Sequence, residues 1–132
     1  MQTFLPYSSF EQTARCLDYR RLCKQRVEAR QIFQTLMEGG AWSNHPAVKM
    51  WRGYKPALID YSNCMIREWI ARGYKNNMEL WDWFLVVPIP PWLGDERLHS
   101  SHRANLLRKD PKHYGQFGWT EEPTKGYFWP VE

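Results

Sequence analysis

The stretch from residue 15 to residue 36 constrains the fold most, because polar side chains interrupt an otherwise apolar helical stripe. Its apolar residues follow the i, i+3, i+4, i+7 spacing of one helical face: Leu22, Ala29, Ile32, Phe33 and Leu36. The same face includes Gln25 and Arg26, with Glu28 at its edge. Burying an amide and a guanidinium is costly unless each is hydrogen-bonded or paired. We therefore expect Gln25 and Arg26 to be buried with partners, and Arg30 to lie on the outer face.

The charge of this stretch supports two interpretations. It contains six basic residues and only two acidic ones, Asp18 and Glu28. A basic helix with an acid inside the cluster can hold a polyanion and perform acid–base chemistry on it. Alternatively, Arg26 and Glu28 are the centre of a structural ion pair beside a solvated basic face, since structural charge networks are common.

Length and composition indicate a single globular domain over residues 1–132. A chain of 132 residues buries roughly two-thirds of its unfolded surface without disulfides or metals. Its 8 Trp, 7 Tyr and 6 Phe must fill a core or stack on ligands. The net charge of +4 favours an anionic partner. Three cysteines without a CxxC motif are typical of a reducing compartment.

The sequence predicts a soluble, cytoplasmic protein. Its first ten residues lack the basic region and the long apolar run of a secretory signal. No uninterrupted apolar run reaches the roughly 18 residues of a transmembrane helix, so we expect no contact with a membrane.

Helix caps, glycines and prolines predict helices that are separated by aromatic loops. A first helix is expected from residue 8 or 9 to the glycines at 39 and 40. A short helix is expected to begin at Pro46 and a longer one at Pro56, the latter ending near residue 73. Another helix is expected to begin at Asp95 and to end before Pro111.

The remaining segments are predicted to be irregular. Residues 78–93 contain a possible short strand, but three prolines remove backbone donors, so an apolar connector is favoured. The tail from residue 113 is rich in aromatic residues, Gly and Pro, which predicts an extended segment that packs by its rings. We therefore predict a compact all-α fold of one domain, with three to five helices.

Common catalytic and cofactor motifs are missing from the sequence. It contains no GxGxxG, GxxxxGK[ST] or GxSxG motif. His99 and His102 have ligand-compatible spacing, but a zinc site needs three or four ligands, and few other candidates remain. Buried, inert cysteines are commoner than reactive ones. We therefore predict no metal, no cofactor and no cysteine catalysis.

Cationic residues interleaved with aromatic ones predict a nucleic-acid partner. One such cluster lies at residues 49–55 and includes Trp51, and another lies at residues 102–114. Cations neutralise phosphates, while flat rings stack on exposed bases. Together with the basic first helix, these clusters make nucleic acid the favoured partner.

Four segments also resemble a known family: residues 17–29 (LDYRRLCKQRVEA), 44–54 (NHPAVKMWRGY), 68–74 (EWIARGY) and 98–115 (LHSSHRANLLRKDPKHYG). They resemble the pyrimidine-dimer DNA glycosylase/AP-lyase family, also called endonuclease V-like, and above all its bacterial branch. The local echoes of the phage branch are Tyr19-Arg20, Glu68 with Arg72-Gly73, and Pro111 with Tyr114-Gly115.

The resemblance implies an all-α fold whose first helix and C-terminal aromatic segment face DNA. In that family the N-terminal α-amine attacks C1′ of the damaged nucleotide and forms an imine, and a glutamate of the first helix assists base release and β-elimination. An α-amine has a pKa near 8, so much of it is a neutral nucleophile near neutral pH. Here the glutamate expected after Tyr19-Arg20 is replaced by Arg21, which leaves Glu28. Gln2 is too large for the usual removal of Met1.

We therefore predict a DNA-repair glycosylase with AP-lyase activity on damaged pyrimidines, with Glu28 as acid/base and the amine of Met1 as nucleophile. The alternatives are a non-catalytic nucleic-acid or nucleotide-binding protein, and an enzyme acting on a small nucleotide through Glu28, His45 and His102. The candidate residues for binding nucleic acid are Arg20, Arg21, Lys24, Gln25, Arg26, His45, Trp51, His99, His102, Arg103, Asn105, Lys109 and Tyr114.

Overall fold

The computed structural model describes residues 1–82 and 87–131. Within this part of the chain all regular structure is helical, and the all-α prediction is confirmed. The α-helices are α1 (Phe10–Cys16), α2 (Tyr19–Glu38), α3 (Pro46–Lys49), α4 (Lys55–Ala71), α5 (Glu96–Lys109) and α6 (Pro111–Tyr114), and a 3₁₀ turn (Gly115–Phe117) follows.

The core of the protein lies around α2 and α4, which pack against each other, while α1 also packs against α4. From α2 it takes the predicted apolar stripe, including the fully buried Leu22 and Ile32, and from α4 it takes Leu58 and Met65. Each such side chain stabilises the fold by about 1.5–3 kcal/mol relative to exposure.

The first predicted helix is divided in two, which corrects the expectation of one continuous helix from residue 8 or 9. Leu17 and Asp18 have extended ψ angles of 138° and 163°, and they separate α1 from α2. The backbone N–H of Asp18 donates to the hydroxyl of Tyr114 at 3.0 Å. Arg72 donates to the carbonyl oxygens of Ala14 and Leu17 at 3.1 and 2.8 Å. These distant partners satisfy the backbone groups that a continuous helix would have paired internally.

The predicted starts of α3 and α5 are confirmed by their caps. Nδ1 of His45 accepts from the backbone N–H of Ala47 at 3.0 Å, and Pro46 occupies the first turn of α3. The carboxylate of Asp95 accepts from the backbone N–H of Arg97 at 3.0 Å. Each side chain satisfies a donor that the helix leaves unpaired.

Residues 2–6 form an extended, buried N-terminal segment, which sequence periodicity did not indicate. It bonds side chains from three helices. The N–H of Phe4 donates to Oε1 of Gln25 on α2 at 2.9 Å, and the N–H of Leu5 donates to Nδ1 of His102 on α5 at 2.8 Å. Tyr61 on α4 donates to the carbonyl oxygen of Phe4 at 2.8 Å. The N-terminus is therefore fixed at one place against α2.

From residue 118 on, the tail is irregular and packs through aromatic rings, as predicted, whereas residues 113–117 are helical and belong to α6 and the 3₁₀ turn. The rings of Trp119 and Tyr114 are stacked with centroids 5.5 Å apart, and Tyr127 lies against Phe4. The described parts of the 78–93 connector contain turns but no helix or strand. The possible strand at 84–87 falls mostly outside the described residues.

Candidate active site

A cavity of about 340 Å³ lies between the N-terminus, the first half of α2, the end of α5 and the tail. Both predicted catalytic residues, Met1 and Glu28, line it. The other lining residues are Gln2, Phe4, Arg20, Arg21, Lys24, Gln25, Lys109 and Tyr127. The structure therefore brings together seven residues that the sequence nominated for catalysis or binding.

The side-chain amide of Gln25 is hydrogen-bonded to several residues in and around the wall of this cavity. Its Oε1 lies 2.9 Å from the N–H of Phe4 and 2.7 Å from the hydroxyl of Tyr61. Its Nε2 donates to the carbonyl oxygen of Gln2 and to Oε2 of Glu28, both at 3.0 Å. A glutamine amide can make four hydrogen bonds. Three of them are made in full here, and the fourth shares the single hydroxyl proton of Tyr61 with the carbonyl oxygen of Phe4. Gln25 therefore connects the N-terminal segment, which carries Met1, to the candidate acid/base.

The carboxylate of Glu28 is shielded from water but remains part of the cavity wall. Its side chain is only 13% exposed, whereas that of Lys24 is 73% exposed. Oε1 of Glu28 lies 3.8 Å from Nζ of Lys24, one turn earlier on α2. The second oxygen receives the Gln25 bond. One carboxylate oxygen thus has only a long contact with an exposed lysine, so it can exchange that contact for a ligand.

Positive charge surrounds this carboxylate. Four basic side chains line the cavity: Arg20, Arg21, Lys24 and Lys109. Burial lowers the pKa of Lys109, and the nearby cations Arg108, Arg21 and Lys24 lower it further. A concave site that is lined mainly by cations attracts anions, phosphates among them.

Arg21 is held at the edge of the cavity by Asp18. Its Nη1 lies 3.2 Å from Oδ2 of Asp18. Burial would raise the pKa of Asp18, but hydrogen bonds from Tyr114 and Arg21 hold it below its usual value. Arg21 thus has a fixed anionic neighbour, in contrast to the exposed Arg20 on the same turn.

Arg26 is buried as predicted, but it faces away from the cavity. Its guanidinium lies over the ring of Trp69 at 4.2 Å, and its Nη1 donates to Oδ1 of Asn76 at 3.3 Å. Its Nε has no hydrogen-bond partner among the described residues. The hypothesis of an ion pair centred on Arg26 and Glu28 is therefore wrong, because Glu28 bonds Gln25 and Lys24 instead.

The expectation that Arg30 lies on the outer face is also corrected. Its guanidinium lies 3.6 Å from the centroid of the Trp81 ring, and its Nε donates to Oγ of Ser62 at 3.0 Å. Burial lowers the pKa of Arg30, while Glu79 raises it. Arg26 and Arg30 therefore form an internal face of α2, directed toward α4 and the loop that follows it.

His99 and His102 hold the backbone of Leu5 and do not reach the cavity. Nδ1 of His99 lies 2.7 Å from the carbonyl oxygen of Leu5, and Nδ1 of His102 accepts from its N–H. Burial lowers the pKa of His102 to about 3, so this imidazole is neutral, and its Nε2 has no described partner. These contacts favour a structural role over contact with a nucleic acid.

Five other nominated residues also lie outside the cavity. Nε1 of Trp51 donates to Oγ1 of Thr3 at 3.0 Å, Nε of Arg103 to Oε2 of Glu121 at 2.9 Å, and Nδ2 of Asn105 to the carbonyl oxygen of Gly126 at 2.6 Å. The hydroxyl of Tyr114 donates to Oδ1 of Asp18, and His45 caps the N-terminus of α3.

The separation of His45 and His102 from Glu28 also bears on the small-nucleotide alternative. That hypothesis grouped these three side chains in one compact pocket. The cavity around Glu28 is lined by neither histidine. Burial lowers the pKa of His45, and the positive N-terminus lowers it further.

Three cavity residues were missed by sequence reasoning: Gln2, Phe4 and Tyr127. No local pattern marks Gln2 or Phe4, because their positions depend on the distant Gln25. Tyr127 belongs to the aromatic tail, whose rings were expected to pack. The residue type was the one available indication, because a tyrosine can pack its ring on the protein and still present its polar hydroxyl to an open space.

Searches for metal and membrane features add little. The described residues contain no group of three or more His, Cys, Asp or Glu side chains that could hold a metal ion. Among the same residues, no helix has the length and apolar character needed to cross a membrane.

Comparison with known proteins supports the resemblance seen in the sequence. Comparisons with curated proteins and with solved structures found no match. The family model described as pyrimidine dimer DNA glycosylase matches residues 1–82. This range includes α1 to α4, Met1 and Glu28 with the α2 part of the cavity wall, and three of the four segments that carry the resemblance. The chain therefore belongs to the pyrimidine dimer DNA glycosylase family.

Proposed function

We propose that the protein is a DNA glycosylase with AP-lyase activity, which acts on damaged pyrimidines through an imine formed by the α-amine of Met1. The observation that carries the proposal is the shared cavity, in which Met1 and Glu28 lie together with four basic side chains. An amine, a shielded carboxylate and a set of phosphate ligands are the groups that this chemistry needs.

In the proposed reaction, the neutral amine of Met1 forms a bond to C1′ of the damaged nucleotide, and the bond from C1′ to the base breaks. Glu28 accepts the proton that the nitrogen loses and passes it to O4′, so that the sugar ring opens to the imine and the carboxylate is regenerated. The departing base takes its proton from water. Glu28 then assists removal of a proton from C2′, and the 3′ phosphate leaves. Arg20, Arg21, Lys24 and Lys109 hold the flanking phosphates in this scheme.

The hydrogen bond from Gln25 supports the role of Glu28. It fixes Oε2 of the carboxylate at 3.0 Å from Nε2 of Gln25. The same amide is bonded to the backbone of Gln2, next to Met1. Gln25 is thus bonded to the candidate acid/base and to the residue that follows the candidate nucleophile. This supports the proposal, because preorganised reacting groups raise reaction rates.

The proposal is tested by borohydride trapping on duplex DNA that contains an abasic site. Untagged protein is expected to form a covalent adduct, and mass spectrometry should locate it at Met1. Acetylation of the α-amine should abolish the adduct, since an acylated nitrogen has no nucleophilic lone pair. DNA binding without an adduct would overturn the proposal in favour of a non-catalytic binding protein. An adduct at Lys24 would overturn the assignment of the nucleophile.

Glu28→Gln tests the acid/base. The variant is expected to retain its fold and DNA binding but to cleave roughly 100-fold more slowly, since a positioned acid/base contributes about 10²–10⁴-fold. Glu122→Gln is the matched control, because Glu122 is exposed and lines no cavity that Met1 lines. Cleavage by Glu28→Gln at the wild-type rate would exclude Glu28 as the acid/base.

A further inference from the structure

We propose that the hydroxyl of Tyr127 donates a hydrogen bond to the carbonyl oxygen of the departing pyrimidine, and so acts in base release but not in strand cleavage. This inference rests on the proposed function. It assigns a catalytic residue outside residues 1–82, in the aromatic tail, where the sequence singled out no residue for catalysis.

The tail holds Tyr127 rigidly against the cavity. Asn105 donates to the carbonyl oxygen of Gly126 at 2.6 Å, and the N–H of Phe128 donates to Oγ of Ser101 at 2.8 Å. Both neighbours of Tyr127 are therefore anchored to α5. A residue between two anchored neighbours has little backbone freedom, so Tyr127 is held beside the cavity that it lines.

Other rings fix the orientation of the Tyr127 ring. Its centroid lies 5.6 Å from that of His102, at an interplanar angle of 89°, and 6.2 Å from that of Phe4. The ring of Trp129 lies 5.8 Å away. The apolar body of the tyrosine is thus packed on the protein, although the residue also lines the cavity with Met1 and Glu28.

The hydroxyl has a free hydrogen-bonding capacity. It makes no hydrogen bond to any residue in the described ranges 1–82 and 87–131, whereas the hydroxyls of Tyr61 and Tyr114 are bonded to other groups. Burial raises the pKa of Tyr127, Arg108 and Arg21 lower it, and Glu28 raises it. The net shift is upward, so near neutral pH the group is a neutral donor rather than a phenolate.

A neutral donor in this cavity complements the chemistry of base release. When the bond from C1′ to N1 of the pyrimidine breaks, its electron pair goes to the departing ring, and the adjacent carbonyl oxygen takes much of the charge. A hydrogen bond to that oxygen is stronger in the transition state than in the substrate, so it accelerates this step. Tyr127 keeps its proton throughout, and Glu28 remains the group that exchanges protons.

Two DNA substrates separate base release from strand cleavage. DNA with a pyrimidine dimer needs both base release and strand cleavage, whereas abasic DNA has no base to release. Tyr127→Phe keeps the ring and removes only the hydroxyl. We expect single-turnover cleavage of dimer-containing duplex to fall by roughly 10- to 100-fold, as for the loss of one donor to a developing oxyanion. Cleavage of abasic duplex should change by less than about 2-fold, since the interaction is absent from that reaction.

Tyr54→Phe is the matched control, because Tyr54 is also half-buried and packed against the core but lies outside this cavity. It should leave both rates unchanged. Unchanged cleavage of dimer-containing duplex by Tyr127→Phe would overturn the inference. Equal losses on the two substrates would also overturn it, because they would indicate a structural role. If wild-type protein cleaves neither substrate, the proposed function itself fails, and this inference fails with it.

Discussion

On the cavity face of α2, the basic side chains of Arg20 and Lys24 are exposed and surround one shielded carboxylate. On the opposite face, the guanidinium groups of Arg26 and Arg30 lie on the rings of Trp69 and Trp81, at 4.2 and 3.6 Å. Both faces carry cations in the sequence. Only the cavity face leaves them available to an anion, whereas the internal face uses them to attach α2 to the rest of the fold.

The histidines of α5 resemble the internal face of α2, because their polar atoms also have partners within the protein. His99 and His102 are bonded to the backbone of Leu5, and the Nδ1 of His102 accepts from its N–H, which requires a neutral ring at His102. The contrast between the cavity face and the internal groups shows that residue type alone does not identify a binding group. What matters is whether the polar atoms already have partners within the protein, since a buried group exchanges an existing bond only at considerable cost.

Gln25→Leu should have the largest effect on stability, because Gln25 connects the buried N-terminal segment to α2 and contacts Tyr61 of α4. The substitution keeps the volume but leaves the N–H of Phe4 and the carbonyl oxygen of Gln2 without their buried partner. We expect the free energy of unfolding to fall by about 3–5 kcal/mol, since each unsatisfied buried group costs about 1–3 kcal/mol. Urea unfolding measures this loss.

Gln31→Leu is the control for Gln25, since Gln31 is exposed on the same helix. It should change stability by less than about 0.5 kcal/mol. Equal effects of the two substitutions would contradict the role of Gln25 as the joint between the N-terminal segment and α2.

The pH dependence of stability tests the internal histidine. The pKa of His102 is lowered from 6.5 to about 3 by burial, so the unfolded chain binds one more proton between these values. Its contribution is present above pH 6.5 and is lost as the pH falls, by up to about 1.4 kcal/mol per pH unit. By pH 4.5 the loss should approach about 2–3 kcal/mol.

His102→Asn separates this effect from other titrations. Asparagine can accept from the N–H of Leu5 but does not titrate, so the variant should lose less stability between pH 6.5 and pH 4.5. Urea unfolding at several pH values gives the slope of the unfolding free energy against pH for the wild-type protein and for the variant. Parallel slopes for the two proteins would show that His102 is not buried in its neutral form.

The sequence predicted the buried stripe of α2, including Gln25 and Arg26, because helical periodicity is a local property. It also predicted the helix start at Pro46 and the position of Asp95 at the N-terminal end of its helix. It did not predict the break at Leu17, since that break depends on Arg72, which is distant in sequence. Side-chain partners of this kind are set by the assembled fold, and single-sequence periodicity carries no information about them.

The same reasoning explains which site residues were predicted. Glu28 was identified because one acid in a basic helix is visible in the sequence, and Met1 because a family resemblance pointed to it. Tyr127 reaches the cavity only because Asn105 and Ser101 anchor the tail on α5. The position of Arg30 likewise depends on Trp81, in a loop without periodicity.

Arg26→Ala and Arg30→Ala should have similar, smaller effects. Each loses a cation–π contact worth about 0.5–2 kcal/mol and the packing of its aliphatic stem. We expect each to lower stability by about 1–2 kcal/mol, or a melting temperature by about 4–8 °C for a chain of this size. Arg15→Ala, on an exposed site of α1, is the control. A loss above about 3 kcal/mol for Arg26 alone would indicate a buried anionic partner.

Lys24→Ala should have the smallest effect on stability and a measurable effect on DNA binding. Its side chain is 73% exposed, and its contact with Glu28 is long at 3.8 Å, so unfolding should change by less than about 0.5 kcal/mol. If Lys24 neutralises one phosphate, the slope of log Kd against log salt should fall by about 1. Lys75→Ala is the control, because Lys75 is exposed but far along the chain from the cavity-lining residues, so it should leave the slope unchanged. Equal slopes for both variants would mean that the cavity face does not distinguish its cations from those elsewhere on the surface.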